Sequence, residues 1–207
     1  MIISHQYKFI LVTPPKTGSV SLHAFLSQRP FCDVPWTSKI KNQHDSFVPD
    51  GCSDYEIITV WRHPLDRVVS MWGHSQKPQE MRVGAYEPFT FEHFVREWMW
   101  RADTIPFYCK SQKWWLRDVK PTTVLRFTHL EADVMQLRVV KDAIDTGYEL
   151  QSLQHSNRSK HPHWRRCYTN ELQNIVSDRF QDDILFREKL KNSFVQNIKI
   201  EYPSITA

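Results

Sequence analysis

The sequence predicts an α/β fold: a three-layer arrangement with a central, mostly parallel sheet flanked by helices. Three observations predict it. Short apolar, β-branched runs at Tyr7–Thr13, Glu56–Trp61 and Thr122–Phe127 read as strands. Stretches with a helical apolar stripe follow them. Strands that alternate with helices favour parallel pairing through crossovers, which covers both faces of a sheet. At 207 residues, without repeats or Ser/Gly linkers, the chain reads as a single domain over 1–207.

The elements follow in order. After the first strand, Gly18 to Ser27 is helical, with Val20, Leu22, Phe25 and Leu26 on its apolar side. Arg29 to Gly51 is irregular, broken by Pro30, Pro35 and Pro49, with a short extended stretch near Trp36–Lys39. Beyond the second strand, Pro64 takes the first helical position, which its fixed φ suits, and the helix runs to about His74. Lys77 to Pro88 is a loop. Thr90 is the N-cap of a helix to about Arg101, with Phe91, Phe94, Val95 and Trp98 as its stripe. Ile105 to Lys120 is aromatic and mixed in character. The third strand leads into short helices at Thr128–Gln136 and Arg138–Thr146, the second ended by Gly147. His155 to Tyr168 is a basic loop with no acidic residue. Thr169 caps a helix to about Phe180, and Asp182 or Asp183 starts another to about Asn192.

Composition narrows the function classes. A hydrophobic fraction of 41% argues against disorder. The net charge of +4 suits an anionic ligand without requiring nucleic acid. Cys32, Cys52, Cys109 and Cys167 are scattered without CxxC spacing, so free thiols in a reducing compartment are expected, with no metal site. Met1 to Lys8 lacks the apolar core of a signal peptide, and no window is apolar enough to span a membrane. These features predict a soluble, cytoplasmic chain.

Two short segments carry the chemistry. Thr13-Pro14-Pro15-Lys16-Thr17-Gly18-Ser19 follows the first strand, and Arg62-His63-Pro64-Leu65-Asp66-Arg67-Val68-Val69-Ser70 follows the second. Each reads as a strand, a tight turn with a cation, and a helix start whose N–H groups attract an anion. The first differs from the Walker pattern GxxxxGK[ST] because Lys16 precedes Gly18 and the leading Gly is missing. The wrap is shorter, so a triphosphate with magnesium is not the obvious ligand. Lys16 would reach an anion held by the N–H groups of Thr17, Gly18 and Ser19. Gly18 would permit close backbone approach, and Thr17 or Ser19 would add a hydroxyl. In the second segment, Arg62 offers a planar bidentate fork and Ser70 a hydroxyl. Each segment also has a plain reading: a turn with a solvated lysine, or an amphipathic helix with Arg62 and Arg67 on its surface.

Together the segments resemble the sulfotransferase family. Its 5′-phosphosulfate loop is matched by Pro15, Lys16, Thr17, Gly18 and Ser19. Its 3′-phosphate motif, Arg-x-Pro-x-x-Arg-x-x-Ser, is matched by Arg62, Pro64, Arg67 and Ser70. Val124-Leu125-Arg126-Phe127 with Leu130-Glu131 resembles the family's late strand and following helix, and Asn157-x-Ser159, Tyr168-Thr169-x-Glu171-Leu172 and Asp183-x-Leu185-Phe186 resemble its carbohydrate-type branch. The resemblance implies a P-loop-like core and the donor 3′-phosphoadenosine 5′-phosphosulfate, without a metal. The acceptor would be a hydroxyl or amine on a carbohydrate or small molecule. It further implies that Lys16 neutralises the leaving phosphate and that Arg62 and Ser70 hold the 3′-phosphate. Asn157, Arg158, Ser159 and Lys160 would lie near the adenosine or 3′-phosphate. His44, twelve residues before Glu56, is the expected general base, with Asp45 to orient or replace it and His74 and His163 as weaker candidates. Trp114 and Trp115 would stack on a ring or fill the core.

Two other classes compete. A small nucleotide kinase would need an acidic magnesium ligand at a strand end, where this chain has Arg62. A non-catalytic polyanion or nucleic-acid module would use the eight Trp and the basic loop, but leaves the two spaced anion motifs unexplained.

Overall fold

Apolar runs at Phe9–Leu11 and Glu56–Trp61 pair in parallel, with Phe9 opposite Glu56 and Leu11 opposite Ile58. The computed structural model describes residues 1–32, 44–76, 90–100, 109–154 and 161–191. The predicted extended stretch at Trp36–Lys39, the loop at Lys77–Pro88 and Asn157, Arg158, Ser159 and Lys160 lie outside those residues.

The sheet is four-stranded and mixed, in the order β1 (Ile2–Ser4), β2 (Phe9–Leu11), β3 (Glu56–Trp61), β4 (Thr123–Arg126). β3 and β4 are parallel, with Trp61 opposite Arg126. β1 pairs antiparallel to β2 across a short turn. Sequence reading finds no strand there, because three residues are too few to show a period of two.

Strand alternation divides the core. Phe9, Leu11, Ile58, Val60 and Leu125 face one cluster, completed by Leu22, Phe25 and Leu26 of α1 (Ser19–Leu26), Leu130 and Val134 of α5 (Leu130–Val134) and Val139, Val140 and Ala143 of α6 (Arg138–Asp145). Ile10, Val12, Ile57, Trp61 and Val124 face the other, against Leu116, Val119 and the partly buried Phe186 of α8 (Gln181–Lys191). Both faces of the sheet are therefore covered. A further cluster joins α2 (Pro64–Ser75), α3 (Phe91–Arg96) and α7 (Asn170–Arg179) through Val68, Phe94 and Val176.

Two elements differ from expectation. The helix expected from Thr90 to about Arg101 stops at Arg96 and gives way to a 3₁₀ turn at Trp98–Trp100. The Trp100 indole N–H donates to the Val95 carbonyl at 2.7 Å, which favours the tighter turn. The mixed stretch at Ile105–Lys120 contains α4 (Gln112–Trp115), one turn capped by the Ser111 hydroxyl. All four cysteines are free thiols. Among the described residues no helix is long and apolar enough to cross a membrane.

Candidate anion-binding site

The turn after β2 is bent at two left-handed residues, Lys16 (φ 68°) and Gly18 (φ 85°). Turns of this kind gather successive N–H groups into an anion-favouring concavity. The Thr17 hydroxyl is spent inside the turn, donating to the Pro14 carbonyl at 2.6 Å, while Ser19 opens α1 as a buried residue. Gly18 sits at the N-cap with no side-chain cap, and no acid lies in the first turn. The positive end of α1 thus lacks the capping oxygen that usually quenches it.

Gly18 is also sterically required. A Cβ there would lie 3.1 Å from Leu130 Cδ2 and 3.4 Å from Phe127 Cε2, on a backbone that L side chains avoid. Gly18→Ala is expected to destabilise the fold by about 1–2 kcal/mol from the left-handed strain. Urea denaturation of the two proteins checks this; an unchanged midpoint would contradict the crowding.

The second segment lies beside the first. The Arg62 guanidinium donates through Nη1 to the Lys16 carbonyl at 3.0 Å. Its Nε and Nη2 clasp Asp66 at 2.8 and 3.0 Å, and its Cζ stands 4.0 Å over the Phe127 ring. Three of the five N–H bonds of Arg62 are so used, leaving two. Ser70 is buried on α2, two turns further along. The start of α2 departs from expectation. Pro64 has no N–H, the Leu65 N–H is taken by His63 Nδ1 at 3.1 Å, and Asp66 lies in the first turn. Anion attraction at this helix rests on side chains, unlike at α1.

Arg67 anchors the assembly and is not on the surface. It is 1% exposed and donates to the Pro15 carbonyl and the Lys110 carbonyl, each at 2.9 Å. Burial lowers its pKa to about 10, opposed by the field of the fully buried Asp183. The Asp183 carboxylate caps α4, accepting the Gln112 and Lys113 N–H groups. The Gln112 side chain then pairs with both backbone groups of Arg62, at 2.9 and 2.8 Å, extending the strand ladder by one side chain.

His44 lies against the first turn. Its Nδ1 is 2.9 Å from the Thr13 carbonyl, and its ring is 5.8 Å from that of Trp115. A carbonyl only accepts, so Nδ1 carries the proton and Nε2 keeps its lone pair. Burial, with lesser contributions from nearby Arg67 and Lys16, lowers its pKa to about 4. The Thr13 hydroxyl meets a second histidine, His23, at 3.0 Å. His23 is fully buried, which lowers its pKa to about 3.

Both histidines are thus neutral in the fold at pH 5, whereas in the unfolded chain they titrate near roughly 6.5. The unfolded state binds more protons as pH falls below that value, so their contribution to stability is present above it and lost on acidification. The loss approaches roughly 2.7 kcal/mol per pH unit when both differ fully. Denaturation at pH 7, 5.5 and 4.5 is expected to show the decline; a flat profile would contradict the buried neutral pair.

The structure brings Pro15, Lys16, Thr17, Gly18, Ser19, Arg62 and His44 into one neighbourhood, with Arg62 joined to Lys16 and His44 to Thr13. No protein-family model, curated protein or solved structure matches the chain. Its chemistry therefore rests on its own geometry. Asp66, Phe127, Gln112, Asp183 and His23 are the site residues that sequence reading missed. Only Asp66 had a signal, its place four residues after Arg62 in the first turn of α2.

Proposed function

We propose that the chain is a sulfotransferase with a P-loop-like core, moving a sulfuryl group from 3′-phosphoadenosine 5′-phosphosulfate to an acceptor hydroxyl or amine. The observation that carries the reading is the 3.0 Å bond between Arg62 and the Lys16 carbonyl. It joins two cation-bearing segments at the C-terminal ends of adjacent parallel strands, where open α/β sheets bind ligands. A ligand with two separated phosphate-type groups fits that pairing better than a single anion does.

The uncapped start of α1 supports a phosphate at the first segment. The N–H groups of Thr17, Gly18 and Ser19 would hold the 5′-phosphate, and the two remaining N–H bonds of Arg62, with Ser70, the 3′-phosphate. Asp66 fixes the Arg62 fork. When bound, the donor supplies an activated sulfuryl group on a phosphate leaving group. Lys16 neutralises the charge that develops on that leaving oxygen. His44 Nε2 accepts the proton of the attacking acceptor. With the His44 pKa lowered to about 4 by burial, the ring is unprotonated at neutral pH but a weaker base than an ordinary imidazole.

Transfer of labelled sulfate to a panel of sugar and small-molecule acceptors tests the reading. Wild type is expected to label at least one acceptor, and His44→Ala to lose most of the turnover with donor affinity retained. Full activity in His44→Ala would remove His44 from the reaction. No labelling across the panel, with no donor binding, would defeat the proposal.

A further inference from the structure

Behind the anion site, Arg67 leads to a separate cleft. The Lys110 carbonyl that Arg67 holds belongs to the wall of a cavity of about 320 Å³, lined by Cys109, Lys110, Ser111, Trp114, Arg179 and Phe180. Among the described residues no carboxylate lines it. Its two cations rest on rings in place of acids. The Lys110 ammonium is 3.7 Å over Trp114, and Arg179 is 4.2 Å over Trp100 and 5.7 Å from Phe180. Two nearby acids of α8 are already engaged: Asp182 pairs with Lys113, and Asp183 caps α4.

Among the described residues neither cation has an acidic partner, and half-buried positive charge so placed is costly and is relieved by an anion. Ser111 accepts the Trp114 N–H at 3.0 Å and so keeps its own O–H for donation. The rest of the lining is apolar: Cys109 is 1% and Phe180 2% exposed. We propose that this cleft is a second oxyanion site, binding a small organic phosphate or sulfate ester. Lys110, Arg179 and the Ser111 hydroxyl take the charged head, and Cys109, Phe180 and the Trp114 edge take the apolar body.

The proposal goes beyond the sulfotransferase reading and does not depend on it, because its test uses no donor. The full chain carrying Lys16→Ala, which removes the cation of the first anion loop, is titrated calorimetrically with phenyl phosphate, inorganic phosphate and phenol. Phenyl phosphate is expected to bind, inorganic phosphate at least about tenfold more weakly, and phenol not at all. Adding Lys110→Gln or Arg179→Gln is expected to weaken phenyl phosphate about tenfold or more, since a hydrogen bond to a charged group is worth about 1.5–3 kcal/mol. Arg179→Lys keeps the charge but loses the planar stacking on Trp100, so its affinity should fall between that of Arg179→Gln and that of the Lys16→Ala parent. If Arg179→Gln unfolds, Lys110→Gln decides. Unchanged affinity in Lys110→Gln would overturn the proposal. So would equal binding of inorganic phosphate, or the loss of phenyl phosphate binding in Lys16→Ala relative to wild type.

Discussion

Arg67→Ala is expected to cost the fold about 3–5 kcal/mol, the usual penalty for removing one partner from a buried charged network. The side chain is 1% exposed and spans from the Pro15 carbonyl to the Lys110 carbonyl. Its loss strands two carbonyls and withdraws the positive charge that moderates the buried Asp183. Asp183 would then protonate or open, loosening its cap on α4 and, through Gln112, the end of β3. Arg67→Lys should recover only part of the loss, since one ammonium replaces a planar fork that reaches two acceptors. Urea denaturation measures both variants. A cost below about 1 kcal/mol for Arg67→Ala, the range of exposed ion pairs, would contradict the anchoring role.

The second large effect separates stability from activity at Lys16. A non-glycine residue at φ 68° carries left-handed strain of roughly 1–2 kcal/mol, which the Arg62 bond to its carbonyl helps to hold in place. Lys16→Gly is therefore expected to raise stability by about 1 kcal/mol. Lys16→Ala keeps the strain and should gain none of that stability. Under the sulfotransferase proposal both lose the same cation, so turnover should fall about 10²–10³-fold in each, the size of effect seen when one stabilising donor is removed. Thermal melts and sulfate-transfer rates on the same preparations check the pair. A glycine variant that is less stable, or an alanine variant that retains its turnover, would contradict the account.

These two residues mark what the sequence made legible. Lys16, Gly18 and Arg62 sit in short motifs beside apolar runs, so local pattern places them at strand ends and helix starts, and the structure agrees. Pro64 and Thr169 mark the starts of α2 and α7 as their chemistry dictates. Arg67 was harder. Its spacing on an amphipathic helix allows a solvent-facing position, and only contacts 43 and 52 residues away make it internal. Gln112 gave no signal, and Asp183 read only as a helix start and part of the resemblance; their buried partners are 50 and 71 residues distant. His23 lies within the first predicted helix with nothing to single it out, and its burial beside Thr13 is a tertiary fact. The one-turn α4 and three-residue β1 are too short to carry a period. The expected anion site at the start of α2 was weakened by the His63 cap and by the Asp66 carboxylate paired with Arg62, both set by rotamers that sequence does not fix.

Thermal stabilisation by adenosine 3′,5′-bisphosphate, compared with ATP plus magnesium and with single-stranded DNA, tests the central claim most directly. The account predicts that the bisphosphate alone raises the unfolding midpoint, and that Lys16→Ala and Arg62→Gln each diminish the shift. Stabilisation by ATP with magnesium and not by the bisphosphate would contradict it.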